Sequence, residues 1–357
     1  MKVAIVHYWL VGMRGGEKVL EQLCKLYPDA DIYTHVYDEK KISGIIKNHR
    51  IFTTGISRLP FAKKAYQAYL PLMPMALEEL DLTSYDLVIS SESGPAKGIV
   101  TNPDAKHICY CHSPMRYIWD EYYNYRAELG PLKRLIFSLV AHSLRQWDVS
   151  SAARVDRFIA NSNFVRKRIG RYYNRAADVV HPPVNLDSFS CSLDAPEDFY
   201  LVAGQLVGYK RVDLAIEAFA ANGKKLVIAG DGPMLAPLKR NAPANVEFLG
   251  YVSDCKLAEL YRTCKALVFP GCEDFGIVPL EAMASGKPVI AFKRGGALDT
   301  VLPDETGVFF AEQTPESLAR AVNHFERNLD KFDPEAIAKW AKGFSEAAFR
   351  KNIAQAI

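Results

Sequence analysis

The feature that most constrains the fold is a repeated alternation of short apolar runs with longer helical patterns. Runs rich in β-branched residues, such as 2–6, 85–90 and 157–160, are separated by stretches with helical periodicity, notably 16–26 and 131–152. Apolar runs without polar alternation are typical of parallel strands that are buried on both faces. The first half of the chain is therefore predicted to form an α/β layered domain.

A second series of the same kind follows a proline-containing segment. The adjacent Pro182 and Pro183 favour extended backbone and stop helices, so the boundary is expected between about 180 and 198. With 357 residues, the chain is long enough for about two domains. We expect Rossmann-like domains over 1–185 and 186–334, and a C-terminal helix over 335–357 that packs back on the first domain. Ligands of such sheets bind at the carboxyl ends of the strands, so the chemistry is expected in a cleft between the two domains.

The charge balance argues against a protein built around nucleic-acid phosphates. Forty-four basic and 41 acidic side chains give a net charge of +3, distributed as +6 over 1–190 and −3 over 191–357. The basic stretch 166–175 resembles a nucleic-acid patch, but a solvated helix face is the simpler interpretation. We expect no nucleic-acid partner.

Seven scattered cysteines and the lack of a leader sequence indicate reduced thiols and a cytoplasmic protein. No uncharged apolar run reaches the ~18 residues that cross a bilayer, so any membrane association is expected to be peripheral, at the inner face. Cys109, Cys111 and His112 could be read as metal ligands, but no second pair follows at zinc spacing, and a strand end is the alternative. We expect no metal and no cofactor.

Two loop-to-helix segments are candidates for ligand binding. Gly15 and Gly16 follow the first strand at the start of a helix, where backbone amides attract anions, although a structural turn is the alternative and no complete G-x-G-x-x-G is present. The stretch 269–288 reads as a strand end, a loop with Glu273, and a short helix with Glu281. Amides near Gly276 would face an anion while the carboxylates accept hydrogen bonds from hydroxyls. That combination suits a sugar nucleotide; two solvated glutamates are the alternative.

A third segment, 56–73, mixes basic residues with aromatic and aliphatic ones. Its cations Arg58, Lys63 and Lys64 could dock on an anionic membrane or hold a lipid diphosphate. A surface helix packed on its own sheet is the alternative.

Several motifs together resemble family 4 of the retaining, nucleotide-sugar-dependent glycosyltransferases. They are the Glu-x7-Glu stretch that contains Glu273 and Glu281, the turn 230–233, the segment 204–213, and Asn161-Ser162. The stretch 111–120 looks like the subgroup of bacterial O-antigen and exopolysaccharide mannosyltransferases. The resemblance covers nearly the whole chain.

The resemblance implies a two-domain GT-B fold, with the donor on the C-terminal domain and the acceptor mainly on the N-terminal one. It assigns the donor sugar's hydroxyls to Glu273, the ribose to Glu281 and the diphosphate to Lys210. His112 is expected to contact the donor sugar, with a role as general base as the alternative. The expected catalytic residues, which contact the donor, are His112, Lys210 and Glu273. The other expected donor-binding residues, together with Lys210, are Gly15, Gly16, Gln205, Arg211, Gly230, Asp231, Phe275, Gly276, Ile277 and Glu281. The expected acceptor-site residues are Arg14, Arg58, Lys63, Lys64, Arg116 and Tyr117.

One position departs from the family pattern. Gln205 stands where many members carry arginine, and a neutral amide supplies no charge to a diphosphate, so Lys210 and Arg211 are expected to carry more of it. The resemblance implies transfer of a hexose, mannose from GDP-mannose, onto a lipid-linked glycan. A different nucleotide sugar, a nucleotide-sugar epimerase and a non-catalytic binding module are the alternatives.

Overall fold

The computed structural model describes residues 1–357, which form two compact units. Unit 1 contains residues 1–182 and 349–357, and unit 2 contains residues 183–348. The chain therefore passes from unit 1 to unit 2 between Pro182 and Pro183, three residues before the expected boundary. The expected third segment, 335–357, is divided between the units, because its first helix lies in unit 2 and its last residues in unit 1.

Unit 1 is a seven-stranded parallel sheet with helices between its strands. Its strands are β1 (Val3–His7), β2 (Asp31–Thr34), β3 (Ile51–Thr53), β4 (Leu87–Glu92), β5 (Lys106–Cys111), β6 (Arg157–Ala160) and β7 (Ala177–Val179). Its helices are α1 (Gly15–Leu26), α2 (Gly44–Lys47), α3 (Ala62–Ala65), α4 (Met73–Glu78), α5 (Tyr122–Ala127), α6 (Pro131–Ala152) and α7 (Asn163–Tyr173). Short 3-10 turns lie at Glu39–Lys41, Gly55–Arg58 and Tyr66–Leu72.

The strand order in unit 1 is β3-β2-β1-β4-β5-β6-β7, so the chain reverses its direction across the sheet between β1 and β4. At this point the register pairs His7 with Ser91. Residues of β1, β4 and β5 are buried on both faces, as the uninterrupted apolar runs predict. The C-terminal residues Phe349 and Ile353 pack into the same core.

Unit 2 is a six-stranded parallel sheet built in the same way. Its strands are β8 (Tyr200–Ala203), β9 (Leu226–Ala229), β10 (Val246–Gly250), β11 (Ala266–Phe269), β12 (Val289–Phe292) and β13 (Gly307–Phe310). Its helices are α8 (Val212–Asn222), α9 (Leu235–Arg240), α10 (Asp254–Thr263), α11 (Ile277–Ala284), α12 (Ala297–Thr300), α13 (Pro315–Arg327) and α14 (Pro334–Lys342), and α15 (Glu346–Ala356) returns to unit 1. Further 3-10 turns lie at Gly208–Lys210 and Leu329–Lys331.

The strand order in unit 2 is β10-β9-β8-β11-β12-β13, with the reversal between β8 and β11. In doubly wound sheets the crevice at such a reversal is the usual ligand site. Both predicted αβ series are confirmed, and each unit has its own reversal point. None of the helices combines the length and the hydrophobicity needed to span a bilayer.

Candidate functional site

A small, partly enclosed pocket lies at the carboxyl ends of β8 and β11. It is lined by Gly204 and Gln205 from the loop after β8, by Lys210, and by Gly271 and Glu273 from the loop after β11. These loops meet here because the reversal of strand order leaves no helix covering this edge between the two strands. The pocket therefore brings together three residues from the expected donor site that lie up to 68 positions apart in the chain.

An ion pair is the main charged feature of this pocket. Nζ of Lys210 lies 3.1 Å from Oε1 of Glu273, and both side chains are largely shielded, with 16% and 19% exposed. Partial burial strengthens the attraction relative to a surface pair. The pair presents a cation and a carboxylate side by side, which can serve a phosphate and a hydroxyl on one ligand.

Glycines allow the backbone to approach this pair closely. A Cβ atom on Gly204, which has a positive φ of 124°, would lie 2.9 Å from Nζ of Lys210. A Cβ atom on Gly271 would lie 2.8 Å from the Cα atom of Lys210. Side chains at these positions would clash with Lys210, so the two glycines leave room for its backbone and its ammonium group.

The turn that contains Gly230 and Asp231 packs against the loop after β8, which lines the pocket. A Cβ atom on Gly230 would lie 1.9 Å from the carbonyl oxygen of Gly204. The Asp231 carbonyl accepts a hydrogen bond from the Leu206 amide at 2.8 Å, and its carboxylate accepts one from Gly232 at 2.7 Å. Gly230 and Asp231, two of the expected donor-binding residues, therefore position the loop 204–206.

The start of α11 lies beside the loop that carries Glu273. Gly276 caps this helix with a φ of 89°, and Ile277 is its first residue. The Phe275 side chain is buried and packs near the Phe344 ring, with 6.0 Å between centroids. A Cβ atom on Gly296 would lie 2.2 Å from the Phe275 backbone. Anchoring of Phe275 thus fixes the backbone that leads into the helix N-terminus, where anions are favoured.

Glu281 lies one turn further along α11. Its Oε2 atom accepts a hydrogen bond from the Tyr261 hydroxyl at 3.0 Å. Burial raises the pKa of the Glu281 carboxyl to about 7, while the Tyr261 hydrogen bond and Lys210 act in the opposite direction. A carboxyl group that titrates near neutral pH can accept hydrogen bonds from a diol once it is ionised.

Arg211 follows Lys210 in the chain but has a charge partner of its own. Its backbone is left-handed, with a φ of 51°, and its Nε atom donates to the Asp213 carboxylate at 3.1 and 3.2 Å. Asp213 therefore neutralises part of the charge that the sequence assigns to a diphosphate. Of the two adjacent cations, Lys210 is the one that lines the pocket.

In unit 1, His112 is the end of a chain of polar side chains. Its Nε2 atom lies 2.9 Å from Oγ of Ser91, and that oxygen lies 3.0 Å from Nδ1 of His7. Burial, with a smaller effect of His7, lowers the pKa of His112 to about 3, which keeps the ring neutral. Ser91 therefore fixes the orientation of His112 and leaves its Nδ1 atom for another partner.

The chain of contacts continues towards the start of α1. Oε1 of Glu17 lies 3.9 Å from Nε2 of His7, too far for a hydrogen bond, and the other oxygen accepts from the Arg14 amide at 2.9 Å. Burial alone would raise the pKa of Glu17, but the His7 ring and the backbone amides outweigh it and lower this pKa. A Cβ atom on Gly16 would lie 2.2 Å from the Tyr8 hydroxyl, so Gly16 allows the helix to start against β1.

The expected acceptor-site residues are dispersed over unit 1. Arg14 is exposed beside Gly15, and Arg116 pairs with Glu121 at 3.1 Å. The Tyr117 hydroxyl is buried without a hydrogen-bond partner. The remaining three cations, Arg58, Lys63 and Lys64, are exposed. Ile56, Ala62 and Met73 of this segment are buried in a cluster with Val36 and Ala76, so the segment is a surface element of unit 1 whose charges face solvent.

Sequence reasoning missed a buried ionic cluster behind His112. Nζ of Lys97 lies 2.8 Å from Oε1 of Glu92 and also contacts Asp148, and all three side chains are fully buried. Burial works against the Lys97 ammonium, but the two carboxylates outweigh it and raise its pKa. The Glu92 carbonyl accepts from the His112 amide at 2.7 Å. No local signal reveals this cluster, because Asp148 lies 51 positions from Lys97.

Arg168 is also placed differently from the expected solvated face of 166–175. It is buried and donates to Ser113 Oγ at 2.6 Å, the Pro114 carbonyl at 3.2 Å and Asp120 at 2.5 Å. It therefore ties down the loop that begins with His112. The expectation that the five basic residues of 166–175 form a solvated helix face is therefore wrong for Arg168.

Two doubly wound parallel-sheet units are the architecture of the GT-B class of glycosyltransferases. The crystal structure of Anabaena HepE in complex with UDP-glucose shares this fold, with a TM-score of 0.68 and 17% sequence identity over 99% of each chain.

Sequence comparison gives the family. The Glycosyltransferase Family 4 model matches residues 13–188, and the Glycosyl transferases group 1 model matches residues 185–342. The chain belongs to glycosyltransferase family 4, as the motifs predict.

Curated relatives include mannosyltransferases. Alpha-1,3/1,6-mannosyltransferase ALG2 of Kluyveromyces lactis is 27% identical over 316 residues, which cover 70% of this chain and 61% of that protein. The GDP-mannose-dependent alpha-(1-6)-phosphatidylinositol dimannoside mannosyltransferase of Mycobacterium tuberculosis is 31% identical over 190 residues, which cover 48% of this chain and 49% of that protein. The chain thus spans between half and two thirds of the length of these relatives.

Proposed function

We propose that this protein is a retaining glycosyltransferase that moves mannose from GDP-mannose onto a lipid-linked glycan in bacterial surface polysaccharide synthesis. The observation that carries the proposal is the Lys210–Glu273 pair at the reversal between β8 and β11. The mannosyltransferase relatives support the choice of sugar, and the GDP-mannose dependence named for the mycobacterial relative supports the choice of nucleotide.

The donor's diphosphate is assigned to Lys210 and to the N-terminus of α11. Negative charge develops on the diphosphate as the sugar–phosphate bond breaks, and preorganised donors of this type are worth about 3–4 kcal/mol each in the transition state. Lys210 is already paired with Glu273 in the pocket, so it needs little reorganisation when the donor binds. A phosphate oxygen would share the ammonium with Glu273.

Glu273 and Glu281 are assigned to the two sugars of the donor. Glu273, paired with Lys210 beside the expected diphosphate position, would accept hydrogen bonds from the transferred sugar. Glu281, held by Tyr261, would accept the ribose hydroxyls. Because its pKa is raised to about 7, this second contact would strengthen as the pH rises through neutrality.

The chemical step would be a front-side displacement. The acceptor hydroxyl attacks the anomeric carbon on the face from which the diphosphate leaves, and a diphosphate oxygen takes the hydroxyl proton. The products are the glycoside, with retained configuration, and the nucleoside diphosphate. His112 is assigned to a hydrogen bond with the donor sugar, which a neutral imidazole oriented by Ser91 can form.

The acceptor is proposed to reach the protein from an anionic membrane at the cytoplasmic face. Arg58, Lys63 and Lys64 are exposed in one surface segment and would contact lipid phosphates. Each such cation near an anionic surface contributes about 1 kcal/mol.

Two measurements test the proposal. A thermal-shift panel of GDP, UDP, ADP and dTDP should show stabilisation by GDP, since a ligand at 100 times its Kd stabilises the folded state by about 2.7 kcal/mol. Incubation with GDP-mannose and a lipid-linked glycan should then extend the glycan. Free sugar isomers would instead indicate an epimerase, and binding without turnover would indicate a binding module. Stabilisation by UDP alone would overturn the choice of donor.

A further inference from the structure

The first half of α6 has no fully buried side chain. Within Pro131–Val140 no residue is buried, whereas Ala141, Leu144 and Asp148 in the second half are buried. A helix in a globular protein normally turns its apolar side chains inward. In α6 the inward contacts begin only after the first ten residues, so its first half is exposed to solvent.

Four large aliphatic residues form an outward stripe on this half. Leu132, Leu135, Ile136 and Leu139 follow the i, i+3, i+4, i+7 spacing of one helix face, and their exposed fractions are 72%, 60%, 53% and 66%. The other exposed large apolar residues of the chain form no such four-residue stripe on one helix. Contiguous apolar patches of this kind mark interaction sites, whereas single exposed residues need no explanation.

The stripe is held rigid by α5. The Tyr122 ring stacks on Phe137 with 5.5 Å between centroids and an interplanar angle of 14°. The Tyr122 hydroxyl and Nε of Arg126 both donate to Ser138 Oγ, at 2.9 and 3.1 Å. We call Tyr122–Ala152 the α5–α6 hairpin. Because its two helices are fastened on the side away from the stripe, the four aliphatic residues are presented in a preorganised arrangement.

The charge of the hairpin indicates which kind of partner covers the four aliphatic residues. The α5–α6 hairpin carries the cations Arg126, Lys133, Arg134 and Arg145 against one exposed carboxylate, Glu128, and the buried Asp148. A second copy of the chain would bring the same cations together at a symmetric interface, which is unfavourable. An anionic lipid surface is attracted by such cations and accepts aliphatic side chains below its headgroups.

The hairpin also packs against the basic segment of unit 1. Leu70 packs both against the cluster of Ala141 and Leu144 in α6 and against the cluster of Ala62 and Met73. The exposed Phe61, Lys63 and Lys64 belong to that same segment. Two neighbouring elements of unit 1 therefore combine exposed apolar groups with cations.

We propose that the α5–α6 hairpin is a membrane-docking element that inserts Leu132, Leu135, Ile136 and Leu139 into the interface of an anionic bilayer. The hairpin supplies the apolar anchor, which the cations of the basic segment alone would lack. Exposed Tyr123 and Tyr125 on α5 are residues that favour the headgroup region. This inference does not depend on the donor or on the reaction.

The test uses the full chain and vesicles of phosphatidylcholine with phosphatidylglycerol, compared with phosphatidylcholine alone. The variant Leu132→Gln/Leu135→Gln/Ile136→Gln/Leu139→Gln keeps good helix formers at each position. Its partition into the anionic vesicles should fall by at least about tenfold, because it loses the buried aliphatic area. The matched control is Leu193→Gln/Leu298→Gln, which alters two exposed leucines of unit 2 and should bind like the unchanged protein.

Two further measurements distinguish a loss of membrane docking from misfolding and from a loss of nucleotide binding. Circular dichroism and nucleotide-induced thermal shift should be the same for the quadruple variant and the unchanged protein. Leu135→Trp should show fluorescence that shifts to the blue with anionic vesicles and is quenched by brominated acyl chains. Unchanged vesicle binding by the quadruple variant would overturn the proposal, as would a dimer in light scattering that the four substitutions convert to a monomer.

Discussion

Nζ of Lys210 and Oε1 of Glu273 lie 3.1 Å apart at the edge of the sheet where β8 and β11 end. Lys210 comes from the short turn after β8, and Glu273 comes from the loop after β11. The pair is 63 residues apart in sequence, so only the adjacency of these two strands brings it together. Its position defines where a charged ligand of unit 2 would bind.

Lys210→Met should lower kcat by about 10²–10³, because Lys210 is proposed to be the preorganised cation opposite the developing charge. Steady-state kinetics with the donor measure this effect. Gln205→Arg in the same chain should restore part of the activity, since both cations would serve one anionic group and their effects should couple. Lys225→Met, which removes an exposed cation paired with Glu247, is the control and should leave kcat unchanged. Near-normal kcat in Lys210→Met would mean that Arg211 or Arg14 neutralises the diphosphate.

Glu273→Ala should abolish transfer and leave nucleotide binding intact. The carboxylate is proposed to hold the transferred sugar, so GDP affinity does not depend on it. Calorimetric titration with GDP and a transfer assay on the same preparation separate the two effects. An equal loss of GDP affinity and of activity would contradict the assignment.

Glu281 should make stability fall as the pH rises from about 4.5 to about 7. Its folded-state pKa is raised to about 7, so in this interval the unfolded chain has lost the proton while the folded protein keeps it. At about 1.4 kcal/mol per pKa unit, the full decrease is roughly 3–4 kcal/mol and is complete above the folded pKa. Urea unfolding at pH 5 and pH 8 measures it, and Glu281→Gln should remove this part of the pH dependence. An identical pH dependence in Glu281→Gln would show that other groups cause it.

The same carboxyl group should make nucleotide affinity depend on pH. GDP should bind more tightly at pH 8 than at pH 6, because the ionised carboxylate is proposed to accept hydrogen bonds from the ribose hydroxyls. Glu281→Ala should lose roughly 1.5–3 kcal/mol of binding free energy at pH 8, the value of a hydrogen bond to a charged group. Affinities for GDP that are equal in the variant and the unchanged protein at both pH values would rule out the ribose contact.

Ser91→Ala should release His112 from its fixed orientation. The substitution leaves a nitrogen of His112 and one of His7 without a partner and should cost about 1–3 kcal/mol of stability. It should also lower kcat by roughly ten- to a hundredfold, as small displacements at reacting groups do. Nitrogen chemical shifts of His112 report its tautomer directly. Ser91→Thr keeps the hydroxyl and should retain the His112 signal; an unchanged signal in Ser91→Ala would exclude Ser91 as the orienting group.

Lys97→Met should destabilise the protein by about 3–5 kcal/mol, because it leaves the buried carboxylates of Glu92 and Asp148 without their cation. Chemical denaturation measures this change. The exposed pair of Lys256 and Glu259 provides the comparison, and Lys256→Met should cost no more than about 1 kcal/mol. If the two substitutions had equal effects, the buried cluster would contribute nothing beyond a surface pair.

The sequence by itself determined the two αβ series and the family. These features depend on local patterns: apolar runs that are buried on both faces, helix starts with proline, and glycines at turns. The helix predicted over 131–152 is α6, residue for residue. Glu273 and Glu281 could be selected because strand, loop and helix follow one another directly in the chain.

The tertiary structure decided which of these residues meet and which faces stay exposed. His7 and Ser91 are neighbours because of the register of β1 and β4, and Lys97 meets Asp148 because α6 packs beside the loop after β4. The outward stripe of α6 has the same periodicity as a core-facing stripe, so the sequence could not distinguish them. Only packing decides, since the buried side of a helix is set by what lies beside it in space and not by its own sequence.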